Sequence, residues 1–155
     1  FFNPGEREEY MSIIKENHLD PYVILHGRQA GQMLDLLFEL CDFGIGSLGR
    51  HRSGITNIKT LKNREYAARG IPFIYSEIDE DFENMPYIMK IPANEEAVDI
   101  KQILNFYNQL HITPLEIRNS IRHLSWNNQM KKVLDEMQKK DKINPNNNNI
   151  ANFAT

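Results

Sequence analysis

A single cysteine, Cys41, excludes an internal disulfide and any multi-cysteine metal centre, and it fits a reducing compartment. Basic charge is not in excess. Lys and Arg number 18 against 21 Asp and Glu, a formal net charge of −3, which excludes the usual basic nucleic-acid-binding domain. No apolar run approaches the ~20 residues that a membrane-spanning helix needs. Phe1-Phe2-Asn3-Pro4 has neither the charged region nor the apolar stretch of a signal peptide and, lacking an initial Met, is expected to continue a longer chain. His18, His26, His51, His111 and His123 show no H-x-x-x-H spacing, so no metal site is expected. Neither a G-x-S-x-G motif nor a Cys–His arrangement offers a covalent nucleophile, and no internal repeat is visible. What remains is ordinary in composition. The 155 residues are 41% hydrophobic and 25% charged, enough for one domain with its own core.

Hydrophobic spacing alternates between two periods. Asn3-Pro4-Gly5-Glu6 reads as a helix start, with Tyr10, Ile13 and Ile14 following and Asn17-His18 ending the run. Tyr22 to Leu25 is a short β-rich run closed by Gly27. Met33, Leu36, Leu37 and Leu40 then mark an amphipathic helix. Phe43 to Leu48 predicts a strand, Leu61 to Arg69 a helix stopped by Gly70 and Pro72, and Phe73 to Tyr75 and Tyr87 to Ile91 two more strands. Ile100, Ile103, Leu104 and Tyr107 predict another helix. Thr113-Pro114-Leu115-Glu116 is a capping box, and Ser125 caps a last helix carrying Trp126, Met130, Val133, Leu134 and Met137. Short strands alternating with ten-residue helices argue for an α/β fold with a parallel sheet. The expected domain covers 3–138, followed by a loose Asn-rich tail over 139–155.

Gly44-Ile45-Gly46-Ser47-Leu48-Gly49 is a literal G-x-G-x-x-G, but Arg50 to Asn57 behind it has no helical period, as a dinucleotide fingerprint would require. These glycines fit better in a buried strand whose backbone something approaches closely. Charge is more informative. Arg50, Arg52, Lys59, Lys62, Arg64 and Arg69 crowd one stretch with Glu65 as its one acid, and the balance reverses between Glu77 and Asp99. Two oppositely charged solvated faces would explain this. Bases at a strand exit and a helix N-terminus would equally suit a phosphate-bearing ligand. Glu65 is either a partner for Arg69 at i+4 or an acceptor for sugar hydroxyls. His26 and His51 fall in predicted strand-exit loops, where a ligand could be touched.

Pro4-Gly5-Glu6-Arg7-Glu8-Glu9-Tyr10, then Leu19 through Val23-Ile24-Leu25-His26-Gly27, resembles the G-x-G-x-E-x-x-Y … L-x-x-x-V-x-F-x-G passage of GT-B glycosyltransferases. Leu36 to Ser47 is similar to their following helix and strand. Leu61-Lys62-Asn63-Arg64-Glu65-Tyr66-Ala67-Ala68-Arg69-Gly70-Ile71-Pro72 looks like the donor-binding E-x-x-A-x-G-x-P helix and strand of the group-1, family-4 type. Ser125-Trp126 resembles the C-terminal element. The resemblance runs from about Gly5 to Met137.

The resemblance implies a Rossmann-like three-layer α/β/α domain, the C-terminal, nucleotide-sugar-binding half of such an enzyme, incomplete at its N-terminus. Glu65 then corresponds to the second glutamate of E-x7-E, the ribose ligand, while the first would fall at Asn57, where that acid is absent. Gly54 stands where a small-residue loop meets the donor, Lys62 resembles a phosphate-directed residue, and His26-Gly27-Arg28 lies where a loop brushes the base. With Arg50 and Lys59 from the basic cluster, these form the expected donor site; no metal or cofactor is implied beyond a UDP- or GDP-linked sugar as substrate. The Arg…Lys diphosphate clamp and the acceptor half would belong to sequence preceding Phe1. The implied activity is glycosyl transfer in polysaccharide biosynthesis, in the cytoplasm or at the inner face of the membrane, with this part alone inactive. A nucleotide-sugar epimerase and a non-catalytic nucleotide-binding or interaction module are the alternatives.

Overall fold

In the computed structural model, which describes residues 4–143, strand β2 is the centre of a three-stranded parallel sheet of order β1–β2–β3. The chain divides into two compact units, one ending at Cys41 and the other beginning at Asp42. The first contains α1 (Pro4–Glu16) and α2 (Gly31–Glu39). His18 ends α1 in a left-handed conformation, φ 55°, and Leu19 N–H closes back on Ile14 O at 2.8 Å. The expected strand at Tyr22–Leu25 does not form. Tyr22 and Val23 both donate to Leu19 O at 2.9 Å in a turn, and among the described residues no strand pairs with this β-rich run.

The second unit runs β1 (Gly44–Ile45), α3 (Leu61–Arg69), β2 (Phe73–Tyr75), β3 (Ile88–Lys90), α4 (Ile100–Asn108), α5 (Pro114–Ser120) and α6 (Trp126–Ile143), with 3-10 turns at Arg50–Ser53 and Arg122–Leu124. It is α/β with a small parallel sheet. β1 is shorter than its expected span, although ladder bonds continue beyond it: Gly46 N–H donates to Ile74 O at 2.8 Å and Ser76 N–H to Ser47 O at 3.0 Å. A Cβ at Gly44 would lie 2.9 Å from the Tyr66 ring, and one at Gly46 would lie 2.8 Å from both Asn63 Oδ1 and Ile74 O. The G-x-G therefore exists to let α3 lie close on the strand, not to begin a nucleotide loop.

Thr60 caps α3, its hydroxyl accepting from Asn63 N–H at 3.4 Å, and Gly70 ends the helix at φ 78°. Phe73, Tyr75, Phe82 and Tyr87 are completely buried and form the core with Ile58, Ala67, Ile117 and Ile121. Their rings meet edge-on or tilted, Phe73 and Phe82 with centroids 5.4 Å apart. Asp99 caps α4, and the Thr113–Glu116 capping box opens α5 as the residue types predict. Helix α6 begins behind Ser125 and continues to Ile143, into the stretch read as tail. The Asn3 cap and the rest of that tail lie outside the described residues. None of the described helices is long and apolar enough to cross a membrane.

The connection from β2 to β3 is held to α3 by charge. Asp79, fully buried, accepts from Asn63 Nδ2 at 3.1 Å and from Arg64 Nη1 and Nη2 at 3.1 and 3.2 Å; Arg64 also binds Asp81. Burial works against the Arg64 cation, but Asp79 and Asp81 outweigh it and hold its pKa above the ordinary value. Removing one member of such a pair strands the other in a poor solvent. Asp79→Ala is thus expected to cost about 3–5 kcal/mol in urea unfolding, whereas Asp81→Ala, at a side chain 23% exposed, should cost at most about 1 kcal/mol.

Candidate functional site

The carboxyl ends of the three strands converge on one edge, the place where open α/β sheets take ligands. The 3-10 turn Arg50–Ser53 follows β1, Ser76-Glu77 follows β2, and Ile91 to Val98 follows β3. A cleft of about 260 Å³ opens between the first and last of these segments, lined by His51, Arg52, Ile91, Asn94 and Glu95 among others. Gly54 closes the 3-10 turn in a left-handed conformation, φ 69°, with its N–H on His51 O at 2.9 Å.

Glu77 is the buried carboxyl group of this edge. It is 2% exposed, and its Oε1 accepts from Arg50 N–H at 2.7 Å while its Oε2 has no partner among the described residues. On the cleft wall, Glu95 gathers Arg52 and His51. Arg52 Nε donates to Oε1 at 2.9 Å and Nη2 donates to Oε2, a forked pairing, while His51 Nε2 meets Oε1 at 2.8 Å. A carboxylate partner requires Nε2 to carry the proton. His51 Nδ1 is buried without a partner.

The two charged stretches are therefore not separate solvated faces. Arg52 pairs with Glu95, Lys59 with Glu80 at 3.6 Å, Arg64 with Asp79 and Asp81, and Arg69 with Glu65 at 3.1 Å. Arg50 and Lys62, both exposed, are the two cations of the stretch whose side chains have no such partner among the described residues. The basic run is largely neutralised by its own chain.

The expected donor residues are divided between the two units. His26, Gly27 and Arg28 lie exposed in the first unit, between α1 and α2. Arg50 and Gly54 occupy the strand-exit turn, and Lys59 and Lys62 flank the start of α3. Glu65 lies farther along α3, facing a second concavity of about 700 Å³ with Leu61, Arg122 and Trp126, the last 82% exposed. Its Oε1 takes both Arg69 hydrogen bonds, so the i+4 pairing forms; Oε2 takes none among the described residues. Asn57 forms an isolated parallel bridge with Ile78. Sequence reasoning passed over Glu77 and Glu95. Glu77's position directly behind a buried apolar strand was the signal for it, while Glu95 carries none, since its partners lie more than forty positions away. Among the described residues no His, Cys, Asp and Glu cluster is fit to hold a metal ion.

No family model, curated protein or solved structure matches the chain.

Hydrogen bonds from Arg52, then the one from His51, hold the Glu95 carboxyl at about 2, below its ordinary value of about 4.5. The sign follows directly. The carboxylate form is favoured in the folded protein, so the clasp is complete above about pH 4.5 and is lost as pH falls through about 2. A carboxyl-carbon NMR titration should place the Glu95 midpoint near 2, and Arg52→Ala should move it back toward 4.5.

Proposed function

We propose that the chain is a nucleotide-sugar-binding domain, the donor half of a GT-B-type glycosyltransferase with a Rossmann-like α/β/α architecture. The observation that carries the reading is the site's location. A parallel sheet ends in a glycine-closed turn bearing Arg50, the next element is α3 with Lys62 in its first turn, and the L-K-x-R-E-Y-x-A-R-G-I-P resemblance falls on that helix. On this reading Arg50 and Lys62 meet the diphosphate and Glu65 Oε2 accepts ribose hydroxyls. The domain supplies the electrostatic share of catalysis, neutralising charge on the departing diphosphate. The acceptor belongs to another domain, and the transfer serves polysaccharide assembly at or near the cytoplasmic membrane face.

A second reading, a nucleotide-binding module without turnover, is favoured by Asn57. An amide replaces the first glutamate of the resembled motif, and its Nδ2 is occupied with Thr56 Oγ1 at 3.2 Å.

Titration with UDP and GDP tests both readings, since each requires binding. Glu65→Gln keeps the side-chain size but removes charge and one acceptor; a hydrogen bond to a charged group is worth roughly 1.5–3 kcal/mol. The expected loss is about ten- to a hundredfold in affinity, and a 2′,3′-dideoxy nucleotide should bind the unaltered chain equally poorly. Normal binding by a variant that only melts earlier would reduce Glu65 to a structural partner of Arg69. Product formation from nucleotide-sugar and acceptor, assayed with the companion domain restored, separates transferase from module.

A further inference from the structure

The pairing of Arg52 and His51 with Glu95 joins the turn after β1 to the loop after β3 across the mouth of the cleft they line. Its geometry is informative. A planar guanidinium fork on two oxygens of one group, with an imidazole N–H on one of them, suits phosphate as well as carboxylate. The pair is also exposed, Arg52 70% and Glu95 61%, in contrast to Arg64 and Asp79 at 20% and 0%. Exposed pairs of this kind exchange partners at little cost. Among the described residues the His51 ring has no hydrogen bond besides the one to Glu95, because Nδ1 is buried and unpartnered.

We propose that Glu95 is a built-in anion occupying a phosphate subsite. It holds Arg52 and His51 in a binding arrangement, and a phosphate-bearing ligand takes its place, releasing the loop around Asn94–Glu96. Arg50, whose N–H is tied to Glu77, stays fixed and marks the floor of the turn. The ligand class is a di- or monophosphate ester, or the inorganic ion. The inference rests on the reading above only in assigning this edge to a phosphate-bearing ligand. It needs neither a base nor a sugar.

Inorganic pyrophosphate is the direct probe, followed by NMR at the His51 ring and the Arg52 Nε–H. Binding should shift both signals and lower hydrogen-exchange protection at Asn94–Glu96. Glu95→Gln removes the competing charge and should tighten binding about two- to fivefold. Glu96→Gln, which alters net charge equally on the same cleft wall, should change affinity less than twofold. Arg52→Ala should abolish the shift at His51. Unchanged or weaker pyrophosphate binding in Glu95→Gln, an equal gain in Glu96→Gln, or shifts confined to other surfaces would each overturn the proposal. UDP binding that perturbs Lys62 and Glu65 while pyrophosphate ignores Glu95 would leave the nucleotide reading intact and remove this one. The converse, pyrophosphate gated by Glu95 with no affinity for any nucleoside diphosphate, would do the opposite.

Discussion

Asp79 is the point on which the second unit turns. Its carboxylate accepts three hydrogen bonds from α3, through Asn63 and Arg64, while its own carbonyl accepts from Phe82 and Glu83 N–H to begin the turn toward β3. One residue thus fixes the helix after β1 and the connection after β2. From that anchoring the rest follows by contact. Asn63 lies against Gly46, Tyr66 lies against Gly44 and donates to Ile45 O at 3.1 Å, and Phe82 enters the aromatic core against Phe73. A buried carboxylate is costly by itself. Here bidentate arginine and an amide satisfy it, and breaking the set costs more than the set contributes over an apolar substitute.

The same network decides how much positive potential reaches solvent. Counted along the sequence, the stretch from Arg50 to Arg69 is strongly basic; in space, Asp79, Asp81, Glu80, Glu95 and Glu65 lie against most of its cations. Charges paired at 3–4 Å contribute little field beyond a Debye length of about 8–10 Å. Long-range attraction of an anionic ligand therefore falls to Arg50 and Lys62. On the proposed nucleotide reading, recognition comes mainly from short-range geometry at the strand exits.

Local signals were legible and tertiary ones were not. The helices at Leu61–Arg69, Ile100–Asn108 and Pro114–Ser120 follow from spacing, caps and a terminal glycine, all of which act within one or two turns. The parallel sheet followed from the alternation of strand and helix. The strand expected at Tyr22–Leu25 failed because β propensity measures fit to a sheet surface, and without a neighbour to bond, the apolar run folds back on Leu19. At the candidate site, the bases were visible but their neutralisation was not. Which acid meets which base depends on the parallel register, Phe73 opposite Ile88, that sets the two distant loops side by side. Glu65 shows both outcomes in one residue: the Arg69 pairing is an i+4 rule and was readable, whereas the groove it faces is built from α3, α5 and α6 together.

The two arginine–carboxylate systems of this unit divide their duties by burial. Asp79 is fully buried and Arg64 is 20% exposed, so water replaces the carboxylate's partners poorly, and separating them forfeits several kcal/mol. Arg52 and Glu95 are wet, and separating them exchanges hydrogen bonds with each other for hydrogen bonds with water or another anion. The first can carry structure but cannot serve as a switch; the second can rearrange without weakening the core. Placing the rigid pair beneath the sheet exit and the exchangeable pair at its rim gives the edge a fixed frame with a replaceable anion. That arrangement lets a small three-stranded sheet alter its rim around a charged ligand while Phe73, Tyr75, Phe82 and Tyr87 remain packed.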